Sequence, residues 1–86
     1  MPRYLIERTF AEEVGLTKDG VEGINHINDE EGVTWIISFL SADKKKTYCL
    51  YEAPNPEAIR VAARRNKVPC DAIIEIGGEL SPTMFG

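Results

Sequence analysis

From Val33 to Leu40 the chain reads Val-Thr-Trp-Ile-Ile-Ser-Phe-Leu, a β-branched and aromatic run of the kind a pleated surface accepts. Thr47–Tyr51 (Thr-Tyr-Cys-Leu-Tyr) is a second such run, and the link between them, Ser41 to Lys46, is polar and turn-like. Strands joined by so short a link pair antiparallel. Arg3–Thr9 predicts a strand near the N-terminus, and Ala72–Ile76 a last strand ended by Gly77-Gly78. Strict alternation puts Trp35, Ile37 and Phe39 on one side of the Val33–Leu40 strand, and Ile36, Ser38 and Leu40 on the other.

The spacing turns helical after Tyr51. Asn55 can cap free N–H groups, Pro56 suits the first helical position, and Glu57 favours the positive end of the dipole. Ile59, Ala62 and Ala63 fall at i, i+3 and i+4, a narrow apolar stripe. Arg64, Arg65 and Lys67 crowd the last turn, where cations complement exposed carbonyls, and Pro69 blocks continuation. Val21, Ile24 and Ile27 also have helical spacing. Thr17 can cap a helix that begins at Lys18 and ends at Gly32, weakened by roughly 1 kcal/mol at each of Gly20 and Gly23. Thr9-Phe10-Ala11-Glu12 offers a rival start of capping-box form; the preferred reading is a loop from Phe10 to Leu16. The order is then β-α-β-β-α-β, the split βαβ pattern of an α+β, ferredoxin-like fold. It predicts a four-stranded antiparallel sheet with two helices on one face, and residues 1–86 form one domain, close to the size where a single core only just suffices.

Such a sheet leaves its second face bare, and in a monomer that face is polar. Here both sides of the strands are apolar: Tyr4 and Ile6 oppose Leu5, and Ile74 and Ile76 oppose Ile73. An exposed patch of that kind marks a binding surface, and its simplest cover is a second copy of the chain, a homodimer packed sheet on sheet. A ligand pocket can then lie between or beside the sheets.

Charge narrows the partners. A net charge of −4 and a pI near 4.9 oppose nucleic-acid binding, so the Lys44-Lys45-Lys46 run is read as a solvated hairpin tip. The start lacks the basic and apolar regions of a signal peptide, and no apolar run is long enough to span a bilayer. The two cysteines, Cys49 and Cys70, lack metal-ligand spacing. A cytoplasmic protein with reduced thiols is the expectation.

Several fragments together carry a resemblance that covers nearly the whole chain: Pro2 to Phe10 with its Glu7-Arg8 pair, Gly32-Val33-Thr34-Trp35, Lys46 to Pro54, Pro56 to Arg60, and Ala62 to Asn66. The chain resembles a family of small stand-alone proteins catalogued as a domain of unknown function, with a ferredoxin-like fold and a nickel-binding member. The resemblance implies that fold, a dimer, and nickel as a possible ion, with no cofactor required. The family's hairpin pattern has Trp, an apolar residue, His, Ser, then an aromatic. This chain departs from it, with Ile37 at the histidine and Ala62 near the place of another.

The remaining candidates are few. His26 is the only histidine and has no HxH or HxxxH partner; it is either a surface residue or a metal ligand. Glu7 and Arg8 are strand neighbours and point to opposite faces, Arg8 as an ion-pair partner. Glu7, on an apolar sheet face, would have a raised pKa and could serve as a base or ligand anchor beside Trp35 and Phe39. Cys49 is read as a buried thiol and Cys70 as the more reactive one; Glu12-Glu13 and Asp29-Glu30-Glu31 are read as solvated surface. No phosphate loop, nucleophile elbow or zinc spacing is present. With no catalytic constellation in view, a non-enzymatic dimer that binds a small ligand or metal ion is preferred. The alternatives are a cofactorless enzyme of the dimeric α+β-barrel type using a pocket carboxylate such as Glu7, and a purely structural module.

Overall fold

The structure, a computed structural model, describes residues 1–85. Its order is β1 (Arg3–Thr9), α1 (Lys18–Glu31), β2 (Thr34–Leu40), β3 (Lys46–Glu52), α2 (Pro56–Arg65) and β4 (Ala72–Ile76), followed by a 3-10 turn at Pro82–Met84. The strands form one sheet in the order β2-β3-β1-β4, with every neighbouring pair antiparallel. This is the ferredoxin-like α+β fold. The strands differ from the sequence expectation by one residue at a few ends, where polar residues such as Lys46 and Glu52 extend β3 by ladder pairing with Thr9 and Arg3.

Local chemistry accounts for both helices. Thr17 Oγ1 accepts from Gly20 N at 3.1 Å and so caps α1, which ends at Gly32 in the left-handed conformation (φ 74°) that glycine adopts without strain. In α2, Asn55 Oδ1 accepts from Ala58 N at 2.9 Å and Pro56 opens the helix. The two helices seat differently. α2 buries Ile59, Ala62 and Ala63 against the sheet, because two alanines permit close approach. In α1 only Asn28 is fully buried, and Val21, Ile24 and Ile27 stay half-buried. A core of Tyr4, Ile6, Val33, Cys49, Tyr51, Ala53, Ile59 and Ala62 fills the space between sheet and helices. Arg65 clasps α1 from the end of α2, at 2.8 Å from both Glu30 and Glu31. Part of the acidic run read as solvated surface is therefore a tie between helices.

The alternation expected in β2 is broken. Trp35 pairs with Tyr51 and Ile37 with Leu50, so Ile36 is an extra residue in a β-bulge. A bulge shifts the parity of everything beyond it. Trp35 and Ser38 therefore share the helix-covered side, and the indole Nε1 donates to Ser38 Oγ across the bulge at 2.8 Å. Ile37 and Phe39 face the other way, paired beside Leu50 and Tyr48. The expectation that Trp35, Ile37 and Phe39 share one face is corrected on this point. No glycine or proline flags the bulge in the sequence.

Candidate functional site

A cavity of about 100 Å³ lies on the helix-covered side of the sheet. Its floor is Arg8 from β1, Trp35 and Ser38 from β2, and Thr47, Cys49 and Tyr51 from β3; its walls are Phe10, Val14 and Leu16 from the β1–α1 loop, Ile24 from α1, and Asn66 and Val68 at the end of α2. The loop is held over the sheet by backbone bonds to the hairpin tip, from Phe10 N to Lys45 O at 2.8 Å and from Val14 N to Lys44 O at 2.7 Å. Of the half-buried apolar stripe of α1, Ile24 faces this cavity.

Arg8 is the polar centre of this site. It is 5% exposed. Its Nη1 donates to Pro69 O at 2.6 Å, and its guanidinium carbon lies 5.7 Å from the centre of the Tyr51 ring, within cation–π range. Among the described residues no carboxylate lies within ion-pairing distance of it. The expectation of an ion-paired Arg8 is therefore corrected: parity turns the side chain inward, away from the carboxylates of the surface. Burial pushes the Tyr51 hydroxyl up from the usual tyrosine range, and the Arg8 charge opposes that shift. Cys49 Sγ donates to Thr47 Oγ1 at 3.5 Å. Nearby, Asn66 Nδ2 donates to Asn28 Oδ1 at 3.4 Å, while the buried Asn28 Nδ2 has no partner.

The residues singled out in the sequence are dispersed. Trp35 lines the cavity. Glu7 and Phe39 lie on the open face of the sheet, both flanking Tyr48 in the ladder. Glu7 is ion-paired with Lys46 at 2.5 Å and is partly solvent-exposed; Phe39 is 61% exposed. The bulge separates Trp35 from these two, so the shared face expected for Glu7, Trp35 and Phe39 does not form. His26 projects into solvent, its side chain 75% exposed, with Glu30 at 3.7 Å. Cys49 is buried and Cys70 half-buried; burial pushes the Cys70 thiol up, and the Arg8 charge is the largest influence against that. A raised thiol pKa lowers the reactive thiolate fraction, while Cys70 is the more accessible of the two thiols. The sequence reading of Arg8 as an ion-pair partner gave it no place in a site. The available signal was its position in β1: an arginine in register with Tyr4 and Ile6, the residues facing the core.

Residues 4–76 match the family described as "Nickel responsive protein SCO4226-like". The chain belongs to that family. Among solved structures, one described as "Crystal structure analysis of SCO4226 from Streptomyces coelicolor A3(2)" superposes with a TM-score of 0.69 at 20% identity, over 91% of this chain and 99% of that one. At that identity the likeness concerns the fold. None of the curated proteins matches the chain.

The SCO4226-like family name carries nickel, and the side chains of this member do not fit that ion. Among the described residues no three histidine, cysteine or acidic groups converge as a metal would need. Nickel takes imidazole and thiolate donors; His26 is alone on the surface, and Cys49 bonds to Thr47 within the core. Ile37 and Ala62, the positions where the family pattern has histidines, lie apart, Ile37 on the open face and Ala62 on the buried side of α2.

Proposed function

We propose that this SCO4226-like protein is a non-enzymatic binding protein for a small ligand, acting as a homodimer. The observation that carries the reading is the cavity between the sheet, the Phe10–Leu16 loop and α1, with mostly apolar walls and a few polar groups, Arg8, Ser38 and Thr47, on its floor, the usual constitution of a small-molecule site. A module that served only as structure has no need of a cavity between its sheet, the Phe10–Leu16 loop and Ile24 of α1. Among the described residues no carboxylate lines the cavity, and the Glu7 carboxylate on which the enzyme alternative relied lies on the opposite face of the sheet. The dimer is supported by the open face, where Ile37, Phe39 and Ile74 are 48%, 61% and 55% exposed. In this reading Glu7 and Phe39 meet the second copy instead of the ligand. Two free thiols suit a cytoplasmic location, and among the described residues no helix is long and apolar enough to cross a membrane.

The test is a set of neutral apolar fragments titrated into isotopically labelled protein. Saturable shifts at Trp35, Ser38 and Val68 are expected, with the open face unmoved. If no fragment perturbs these residues at millimolar concentration, the binding reading fails. Shifts confined to Phe39 and Ile74 would move the site to the open face.

A further inference from the structure

Three polar groups on the cavity floor, Arg8, Ser38 and Thr47, have donors to offer, and the acceptors beside them are neutral, the Asn66 amide and the Tyr51 hydroxyl. Arg8 is a cation with several donors and, within the described residues, no carboxylate partner. Ser38 Oγ accepts from the Trp35 indole, a group that can only donate, so the Ser38 proton is left to be given away. Thr47 Oγ1 accepts from the Cys49 thiol, and its own proton is likewise free. Among the described residues no Asp or Glu lines the walls, although the chain as a whole carries a net charge of −4. Burying a cation without a counter-charge is costly, and the cost is offset when an anion joins it. The guanidinium fork matches a carboxylate with two parallel bonds. The apolar walls exclude a strongly hydrated dianion and suit a hydrocarbon chain.

We infer that the cavity takes a small apolar monocarboxylate, its head group held by Arg8 with Ser38 and Thr47, and its tail between Trp35, Leu16 and Val68. This rests on the ligand-binding reading above and adds the ligand class. The space of about 100 Å³ admits a short acyl chain. Selectivity would come from charge: the amide or alcohol of the same length meets the same walls but leaves Arg8 without its anion.

The experiment uses Trp35, the single tryptophan, as reporter, and hexanoate, hexanamide and inorganic phosphate as probes of the wild-type protein. Hexanoate is expected to shift Trp35 emission saturably and to bind at least about tenfold more tightly than hexanamide, the margin of a charge-assisted bond. Arg8→Met should remove the preference while keeping hexanamide binding, and Arg8→Lys should retain only part of it. The wild-type comparison decides the matter even if Arg8→Met fails to fold. Equal affinity for hexanoate and hexanamide would overturn the inference and leave the ligand-binding reading intact. Phosphate displacing hexanoate at comparable concentration would overturn it in favour of a plain oxyanion site. No saturable response to hexanoate also overturns it, and the broader reading then stands or falls with the neutral fragments.

Discussion

Tyr51 and Arg8 define the residue scale. Tyr51 is buried in the core, and its ring receives the Arg8 charge. Burial raises the Tyr51 pKa above its unfolded value. For such a group the stability contribution is fully present below the unfolded pKa and is lost as pH rises through the folded one. The window therefore opens near the ordinary tyrosine value of about 10 and lies above it. Tyr51→Phe removes this contribution and keeps the ring. Urea midpoints at about pH 8 and about pH 10.5, either side of that value, should fall less in the variant than in the wild type. An equal fall in both would place the alkaline sensitivity elsewhere. Glu7, by contrast, is tied to Lys46 in partial contact with solvent, where ion pairs are screened and contribute little. Its neighbour in sequence proved to be the buried charge because successive residues of a strand face opposite sides.

At the scale of elements, α1 and β2 decide the site. α1 carries two glycines, and a Cβ at Gly23 would meet nothing within 4 Å, whereas one at Gly20 would sit 3.2 Å from the capping Thr17 Oγ1. Gly23→Ala is expected to raise stability by about 0.5–1 kcal/mol, and Gly20→Ala to give less because it presses on the cap. Chemical denaturation of the two variants makes the comparison, and a loss at Gly23 would mean that the half-buried seat of α1 needs the flexibility. The bulge in β2 offers a sharper case. Removing Ile36 leaves Thr34, Trp35, Ile37 and Ser38 in regular alternation with the same facing residues. The deletion should therefore fold with Trp35 still inside, at a cost of about 1–2 kcal/mol for the altered twist and lost Trp35–Ser38 geometry. Trp35 emission moving to that of an exposed indole would refute this account of the register.

For the whole molecule, the unanswered surface is the open face. Ile37, Phe39 and Ile74 are exposed on the sheet side that no helix covers, rimmed by the Arg3–Glu52 and Glu7–Lys46 pairs. Light scattering at micromolar concentration should give twice the chain mass of 9.6 kDa. Phe39→Asp should reduce that to the single-chain mass, because an unpaired carboxylate in an apolar contact is expensive. A wild-type protein that stays at the single-chain mass would rule the dimer out. The same substitution should leave the proposed hexanoate response of Trp35 unchanged, since the two faces are separated by the thickness of the sheet.

Much of the molecule was determined by sequence alone. The strand runs, the Thr17 and Asn55 caps, the Gly32 terminus and the order of elements follow from local forces, which depend on residues a few positions apart. The division of Tyr4 and Ile6 from Leu5 was equally legible, because β1 alternates without interruption. Tertiary structure decided the rest. The bulge at Ile36 is set by pairing with β3, and no nearby residue encodes it, yet it separates Trp35 from Phe39. The inward turn of Arg8 places a cation at the floor of a cavity that exists only because α1, α2 and the Phe10–Leu16 loop converge there. Convergence of distant segments leaves no local pattern, so the fold could be read along the chain and the site could not.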